Sequence, residues 1–306
     1  MKLSQISSNN LSRKLHSEGI HIKIGPFNVR VKSKIAHVLA GMKTLYADYP
    51  VLDEDVFTDF HVCLSRPNNL RRWIHPQVLF KFDNRVPFKP LPLSQAYPFF
   101  EWGLNWCIAA HCNNYVILHA AVVEKNGYAV IFPGEPGAGK STLCAALVLR
   151  GWRLLSDEMA VIDVSSGQLI PIPRPISLKN ESIEVIRRFE PDVTMGPVAH
   201  DTSKGTVTHV KPPQQSILRC SEPAVPALIV KPNFTPDAPS SMLELNSGEL
   251  FMHLVKNAFN YSVLGEVAFD TLANLVNMCR CFEFTYSILE DAVNTFDLLV
   301  DQQRES

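Results

Sequence analysis

The sequence predicts an α/β fold: a C-terminal domain built on a strand, a glycine-rich loop and a helix, behind a mixed α/β N-terminal module. Three observations carry this. Gly134-Glu135-Pro136-Gly137-Ala138-Gly139-Lys140-Ser141-Thr142 fits the pattern Gly, four residues, Gly-Lys-Ser/Thr. Tyr128 to Phe132 reads as a buried strand before it, and Ser141 to Arg150 as an apolar helix after it. Ahead of both, residues 1–112 mix alternating and helical apolar spacing.

Each residue type in the loop has a physical reason. Gly134, Gly137 and Gly139 allow positive φ and a close approach of the backbone, so successive N–H groups can point at phosphate oxygens. Lys140 brings a cation to the β/γ-phosphates, and the Ser141 hydroxyl can ligate an accompanying magnesium ion. The start of the following helix favours an anion. Residues 134–142 therefore predict a nucleoside triphosphate site.

Composition excludes several classes. At 306 residues, 46% hydrophobic and 19% charged, the chain is globular rather than disordered, with room for one large domain or two. A formal net charge of −1 predicts neither a nucleic acid nor a membrane as partner. Arg71-Arg72 and Arg187-Arg188 read as solvated faces. The seven cysteines include no Cys-x-x-Cys pair and read as thiols in a reducing compartment. The N-terminus lacks the order of a signal peptide, and no uninterrupted apolar run is long enough to cross a bilayer. A cytoplasmic location is expected.

In chain order, residues 1–19 read as polar and loosely held. A hairpin follows over Ile20 to Lys32 about Gly25-Pro26, then a helix over Ile35 to Tyr46. Asp59 to Leu64 and Gln77 to Phe82 are strands, Pro87, Pro90 and Pro92 mark an extended connection, and Phe99 to Cys112 is a helix with Trp102 and Trp106 on one face. In the second domain, 113–306, Tyr115 to Val123 reads as one strand joined to Tyr128–Phe132 through Lys125-Asn126-Gly127. Trp152 to Glu158 is a strand ending in two carboxylates, Met159 to Val164 and Leu169 to Ile172 a hairpin, and Glu181 to Phe189 a short helix. Residues 191–216 are polar and aperiodic, which predicts either a lid or disorder. Strands at Val225 to Val230, Met242 to Leu245 and Phe282 to Tyr286, and helices from Ser247, Val267 and Leu289, complete the chain.

Phosphate transfer needs a second magnesium anchor and a group that orients or deprotonates the acceptor. Asp157 and Glu158, at the end of an apolar strand just past the loop helix, are the candidates, with a helix cap or solvated turn as the bland alternative. His119 lies before the hairpin that feeds the loop, where a core histidine or a place beside the γ-phosphate both fit. Arg174 and Lys179 bracket a proline-containing segment and could clamp an acceptor or phosphates; surface charges are the alternative.

Together Leu118-His119-Ala120-Ala121-Val122, the phosphate loop and Arg150 to Glu158 resemble the catalytic domain of HPr kinase/phosphorylase. Adding Glu101 to Trp106 and Arg174 to Asn180, the chain looks closer still to bacterial HPr kinase-related kinases of type A. The second resemblance covers most of the chain, the first roughly residues 115–165. It implies a phosphoenolpyruvate-carboxykinase-like phosphate-loop fold and phosphoryl transfer to a serine hydroxyl. In that pattern the histidine falls on His119, the acid/base on Asp157, and the second acid of an Asp-Asp pair on Glu158, a departure that changes reach. No segment matches the part of HPr kinase that handles its phosphocarrier substrate.

The expected function is an ATP- and magnesium-dependent kinase acting on a hydroxyl of a protein, peptide or small molecule. Lys140 and the loop amides hold phosphates, Ser141 with Glu158 or Asp157 holds the metal, and Asp157 takes the proton. His119 stands near the γ-phosphate, and Arg174 or Lys179 positions the acceptor. A nucleotide-sensing protein, a plain ATPase and a carboxykinase-type enzyme are the alternatives, and a homo-oligomer is compatible with the sequence.

Overall fold

The computed structural model describes residues 1–68, 74–134 and 137–305. The apolar alternation at the start folds into the expected hairpin, β1 (Ile20–Ile24) and β2 (Phe27–Ser33), with Gly25 at φ +57° in the turn. β3 (Phe60–Ser65) lies parallel to β2, β4 (Gln77–Phe82) antiparallel to β3, and the short β5 (Leu91–Pro92) closes a five-stranded sheet. Helices Ala36–Leu45 and Ala96–His111 pack their apolar residues, among them Val38, Met42, Phe100 and Leu104, into one core with Val29, Val31, Val62 and Phe80. The residues ahead of this sheet are better ordered than their polarity predicts. Leu11 and Leu15, one turn apart on the Ser8–His16 helix, are buried in that core with Leu3, and Ser7 caps the helix by accepting from the Asn10 N–H. The Arg71-Arg72 pair lies outside the described residues.

The predicted strand over Tyr115 to Val123 is two strands, β6 (Tyr115–Leu118) and β7 (Ala120–Lys125), broken at His119. β7 turns at Asn126-Gly127 into β8 (Tyr128–Pro133), its antiparallel partner. β9 (Arg153–Ser156) flanks β7 on the other side. β10 (Ala160–Asp163) and β11 (Leu169–Ile170) form the expected hairpin, and β6 joins it in a separate three-stranded sheet. Residue 119 is thus where the chain leaves one sheet for another, and its N–H is donated to the Asn257 carbonyl at 2.8 Å. Asn260 holds the turn-off by accepting from the Ile117 N–H and donating to the Tyr115 carbonyl.

Residues 191–216 are ordered where their polarity allowed disorder. After β12 (Ile176–Lys179) and the Glu181–Phe189 helix, β13 (Ala199–Thr202) and β14 (Gly205–Val210) form a hairpin whose second strand pairs with β12. Few apolar residues line it, but Val207 and Val210 face the core while Thr208 and His209 are also buried, so the polar sequence hid a packed sheet. β15 (Val225–Phe234), β16 (Ser241–Glu244) and β17 (Arg280–Tyr286) complete the large sheet, in the order β16-β17-β15-β8-β7-β9. β15 runs on through Pro232 to Phe234 because its parallel partner β17 pairs with it from Leu228 to Phe234, past the end of its pairing with β8 at Ile229.

The six-stranded sheet is the middle layer of a sandwich. One face carries Val130, Phe132, Leu228 and Phe284 against the Lys140–Leu149 helix and Phe296 of the Leu289–Glu305 helix. Ala129, Ile131 and Ile229 on the other face pack on Leu250, Leu272 and Val276 of helices Ser247–Asn257 and Glu266–Met278. Because β8 is buried on both faces it is apolar throughout, and it delivers the glycine-rich loop at its end. Among the described residues no helix is long and apolar enough to cross a membrane.

A Cβ at Gly103 would fall within the ring of Phe80 at the centre of the N-terminal core. Gly103→Ala is expected to cost about 1–3 kcal/mol in denaturant unfolding, whereas Gly127→Ala meets no atom and acts only through its positive φ.

Candidate active site

A cleft of about 560 Å³ opens over the start of the Lys140–Leu149 helix. Gly137, Gly139, Lys140, Ser141 and Thr142 form one wall, His119, Asp157 and Glu158 another, and Ser177, Lys179, Asn180, Ser182 and Lys204 the third. Gly134, Gly137 and Gly139 all have positive φ. Gly139 is the helix N-cap, and a Cβ there would come 2.7 Å from the Tyr286 hydroxyl, which itself donates to the Gly139 carbonyl at 3.4 Å. The Lys140 ammonium folds back and donates to the Gly134 carbonyl. The expectations for Glu135 and Pro136 lie outside the described residues.

The two carboxylates differ in environment. Asp157 is 4% exposed at the end of β9. Its Oδ2 accepts from the Ser177 N–H at 2.8 Å, while the equally buried Oδ1 has no hydrogen-bond partner among the described residues. Burial, and next the negative charge of Glu158, push its carboxyl up to about 7, against the Ser177 N–H and the nearby Ser141 hydroxyl. Glu158 goes the other way. Its burial is outweighed by Lys204, Lys179 and Arg174, which together hold it below the ordinary glutamate range. Asn105 donates to its Oε2, and the Lys179 ammonium lies 3.9 Å from Oε1. One acid is thus poised near neutrality and the other stays ionised, an arrangement that separates proton-transfer and charge-holding roles.

His119 reaches the cleft because the strand break puts it between sheets, with Phe259 at 5.9 Å between ring centroids. Burial, then the Lys140 cation, hold its imidazole below the usual value, so it is neutral at pH 7. Lys179 lines the cleft. Arg174 does not reach its main volume. The guanidinium is buried behind the two acids, paired with the Glu101 carboxylate and donating to the Asn105 side chain and the Glu101 carbonyl. Glu101 in turn accepts from the hydroxyls of Tyr46 and Tyr97.

Several residues in or behind the cleft carry no sequence signal by themselves. Lys204 sits in the two-residue turn between β13 and β14, with its ammonium 5.2 Å from the Trp102 ring; burial lowers it and Glu158 raises it. Ser177 presents a buried Oγ with no hydrogen-bond partner among the described residues. His209 packs edge-on to Tyr97 with both ring nitrogens likewise unpartnered. Only the long-range pairing of β12 with β14 brings Lys204 near the loop.

The residues fit magnesium. A buried carboxylate oxygen without a partner, beside a serine in the first helical turn, supplies the one or two protein oxygens such an ion takes when phosphates and water complete its shell. No cluster of three or more His, Cys, Asp or Glu residues suited to a metal occurs among the described residues.

No family model matches the chain. A stretch of 53 residues is 40% identical to HPr kinase/phosphorylase of Clostridium botulinum (strain Eklund 17B / Type B), covering 17% of this chain and 17% of that protein. The protein of the same name from Clostridium beijerinckii is 40% identical over 53 residues, 17% of this chain and 18% of its own. The match therefore spans about a sixth of the length of these relatives. The structure of the Hpr(Ser) kinase/phosphatase from Coxiella burnetii aligns with 15% identity and a TM-score of 0.28, over 61% of this chain and 95% of that one. The sequence matches support the resemblance to the HPr kinase/phosphorylase-like superfamily.

Asp157 holds its proton more tightly in the fold than in the unfolded chain, so its burial weakens stability as pH rises from about 4 to about 7. Asp157→Asn is expected to raise the Tm of the metal-free protein by several degrees at pH 8 and by little at pH 5. Calorimetric scans in a chelator check this; the full shift corresponds to an upper limit of about 4 kcal/mol.

Proposed function

We propose that this protein is an ATP- and magnesium-dependent kinase that moves the γ-phosphate to a hydroxyl, of serine type, on a protein, peptide or small molecule. The observation that carries the reading is Asp157, a buried carboxylate near neutrality, with one oxygen unpartnered, across from a phosphate loop. A general base works best when its pKa lies near the working pH. The loop amides and Lys140 would cradle the phosphates. Asp157 would accept the acceptor's proton as its oxygen bonds to phosphorus, and the phosphate would leave ADP in line with that attack. Ser141, with Asp157 or Glu158, would hold magnesium, whose charge would offset that of the β/γ-phosphates. Neutral His119 would hydrogen-bond near the γ-phosphate without adding charge, and Lys179 would stabilise the negative charge there. Arg174 would act through Asn105 and Glu101, orienting Glu158 from behind.

The fold that goes with this reading is phosphoenolpyruvate-carboxykinase-like, the second domain running from residue 113. It is supported by the mixed central sheet, in which β8 is antiparallel to β7 and parallel to β15, unlike an all-parallel NTPase sheet. Within residues 191–216, the β13–β14 hairpin would serve as the lid, with Lys204 at its tip.

Transfer of labelled γ-phosphate from ATP–magnesium into cell lysate tests the proposal. Asp157→Asn should lower transfer by about 10²–10⁴-fold while leaving ATP affinity within a few-fold, and Lys140→Ala should abolish ATP binding. Transfer by Asp157→Asn near the wild-type rate would sink the assignment; ATP binding without Asp157-dependent label would favour a nucleotide sensor. Asn105→Ala frees Glu158 and is expected to lower kcat about ten-fold with nucleotide affinity unchanged, as measured by steady-state kinetics beside a binding titration.

A further inference from the structure

The net charge of −1 hides a strong division. Residues 1–112 hold 14 Lys and Arg against 8 Asp and Glu, and residues 113–306 hold 15 against 22. Three of the first part's Lys and Arg residues line a second cavity, of about 310 Å³, in the N-terminal module. It is lined by His16, Lys32, Lys34 and Arg66 around a floor of Ile35, Cys63 and Leu64, with Ser33 and Ser65 between.

The position follows from the topology. β2 ends at Ser33 and its parallel neighbour β3 at Ser65, so the cavity lies at the carboxyl ends of two adjacent parallel strands, the place where open α/β sheets take ligands. The Ala36–Leu45 helix starts at its rim with Ile35 as an N-cap that makes no side-chain bond, leaving first-turn N–H groups for an anion. Among the described residues, no acidic side chain lines the cavity. Among the described residues, no ion pair engages Lys32, Lys34 or Arg66. The charges acting on the Cys63 thiol tell the same story. Burial raises it, and every charged group that acts on it, Lys81, Lys32 and Arg30, is a cation. The Ser65 Oγ is buried with no partner among the described residues. Cations gathered round one concave surface repel each other until an anion enters.

We infer that this cavity binds a small multiply charged anion of the phosphorylated-metabolite class. The phosphate would sit among Lys34, Arg66 and the helix start, and the apolar floor of Ile35 and Leu64 would take a short carbon skeleton. The volume lies at the lower end of small-ligand pockets, too small for a nucleotide and its metal. The site stands apart from the phosphate loop, with which it shares no lining residue.

Two measurements with pyrophosphate as probe test it. In the wild-type chain, pyrophosphate should slow iodoacetamide alkylation of Cys63 at least five-fold, read by peptide mass spectrometry, and leave Cys112 unchanged. In calorimetric titrations of the Lys140→Ala chain, pyrophosphate should bind at one site, and adding Lys34→Ala with Arg66→Ala should weaken it at least ten-fold. Lys43→Ala, exposed and outside the cavity, should change affinity less than two-fold. Equal loss from Lys43→Ala would reduce the effect to a diffuse field and overturn the site, as would unprotected Cys63. Tighter binding of a single-stranded oligonucleotide than of pyrophosphate would overturn the small-molecule assignment.

Discussion

Everything around the cleft answers one electrostatic problem: a carboxylate buried beside a second carboxylate. Two adjacent negative charges out of water cannot both persist without nearby cations or donors. The structure splits the burden. Asp157 is given the Ser177 N–H, with the Ser141 hydroxyl and Lys179 beside it, too little to offset burial and the Glu158 charge, so its carboxyl rises to about 7. Glu158 receives Lys179, Lys204 and Asn105 and stays ionised. Were both acids compensated equally, neither would be poised to move a proton at neutral pH. The unpartnered Oδ1 of Asp157 is a local destabilisation of the kind that folds keep at functional sites.

Meeting that demand explains why the N-terminal module is not an appendage. Arg174 alone could not be buried, and its partner Glu101 comes from the Ala96–His111 helix, with Tyr46 and Tyr97 completing the carboxylate's bonds. The Tyr49 hydroxyl donates to the Pro173 carbonyl at 2.6 Å, and Lys211 pairs with Asp48 at 2.7 Å. Met159, Val161, Ile172 and Ile217, all beyond residue 112, belong to the N-terminal core. The segment carrying both acids is clamped between the glycine-rich loop helix and the Ala96–His111 helix.

Local features were legible in the sequence and long-range ones were not. The glycines that take positive φ, the lysine, the serine and the apolar strand and helix on either side follow from neighbours in the chain. So does the strand that ends at the two acids, since the apolar run stops there. His119 could be named as a candidate but not placed, because continuous apolarity over Tyr115 to Val123 conceals a change of sheet. Lys204 and His209 lie in a segment whose polarity suggests a lid or disorder, and only β-pairing to β12 brings Lys204 to the cleft and His209 behind the two acids. Arg174 shows the opposite failure. Its charge and proline neighbours suggested a contact with acceptor or phosphates, but the carboxylate that binds it lies 73 residues earlier, a pairing no local pattern encodes.

The same contrast explains why the site is divided as it is. Phosphate binding needs backbone donors in one rigid loop, which a contiguous sequence can supply on its own. Tuning two acids in opposite directions needs charges at different distances from each, and adjacent residues on one strand end cannot supply them. The chain brings Lys179 from β12, Lys204 from the β13–β14 turn and Asn105 from the N-terminal helix, three elements that meet only in the folded state. Lys179 and Lys204 act on both acids but outweigh burial only at Glu158, so the asymmetry between the acids is a property of tertiary packing, while the loop beside them is a property of the sequence.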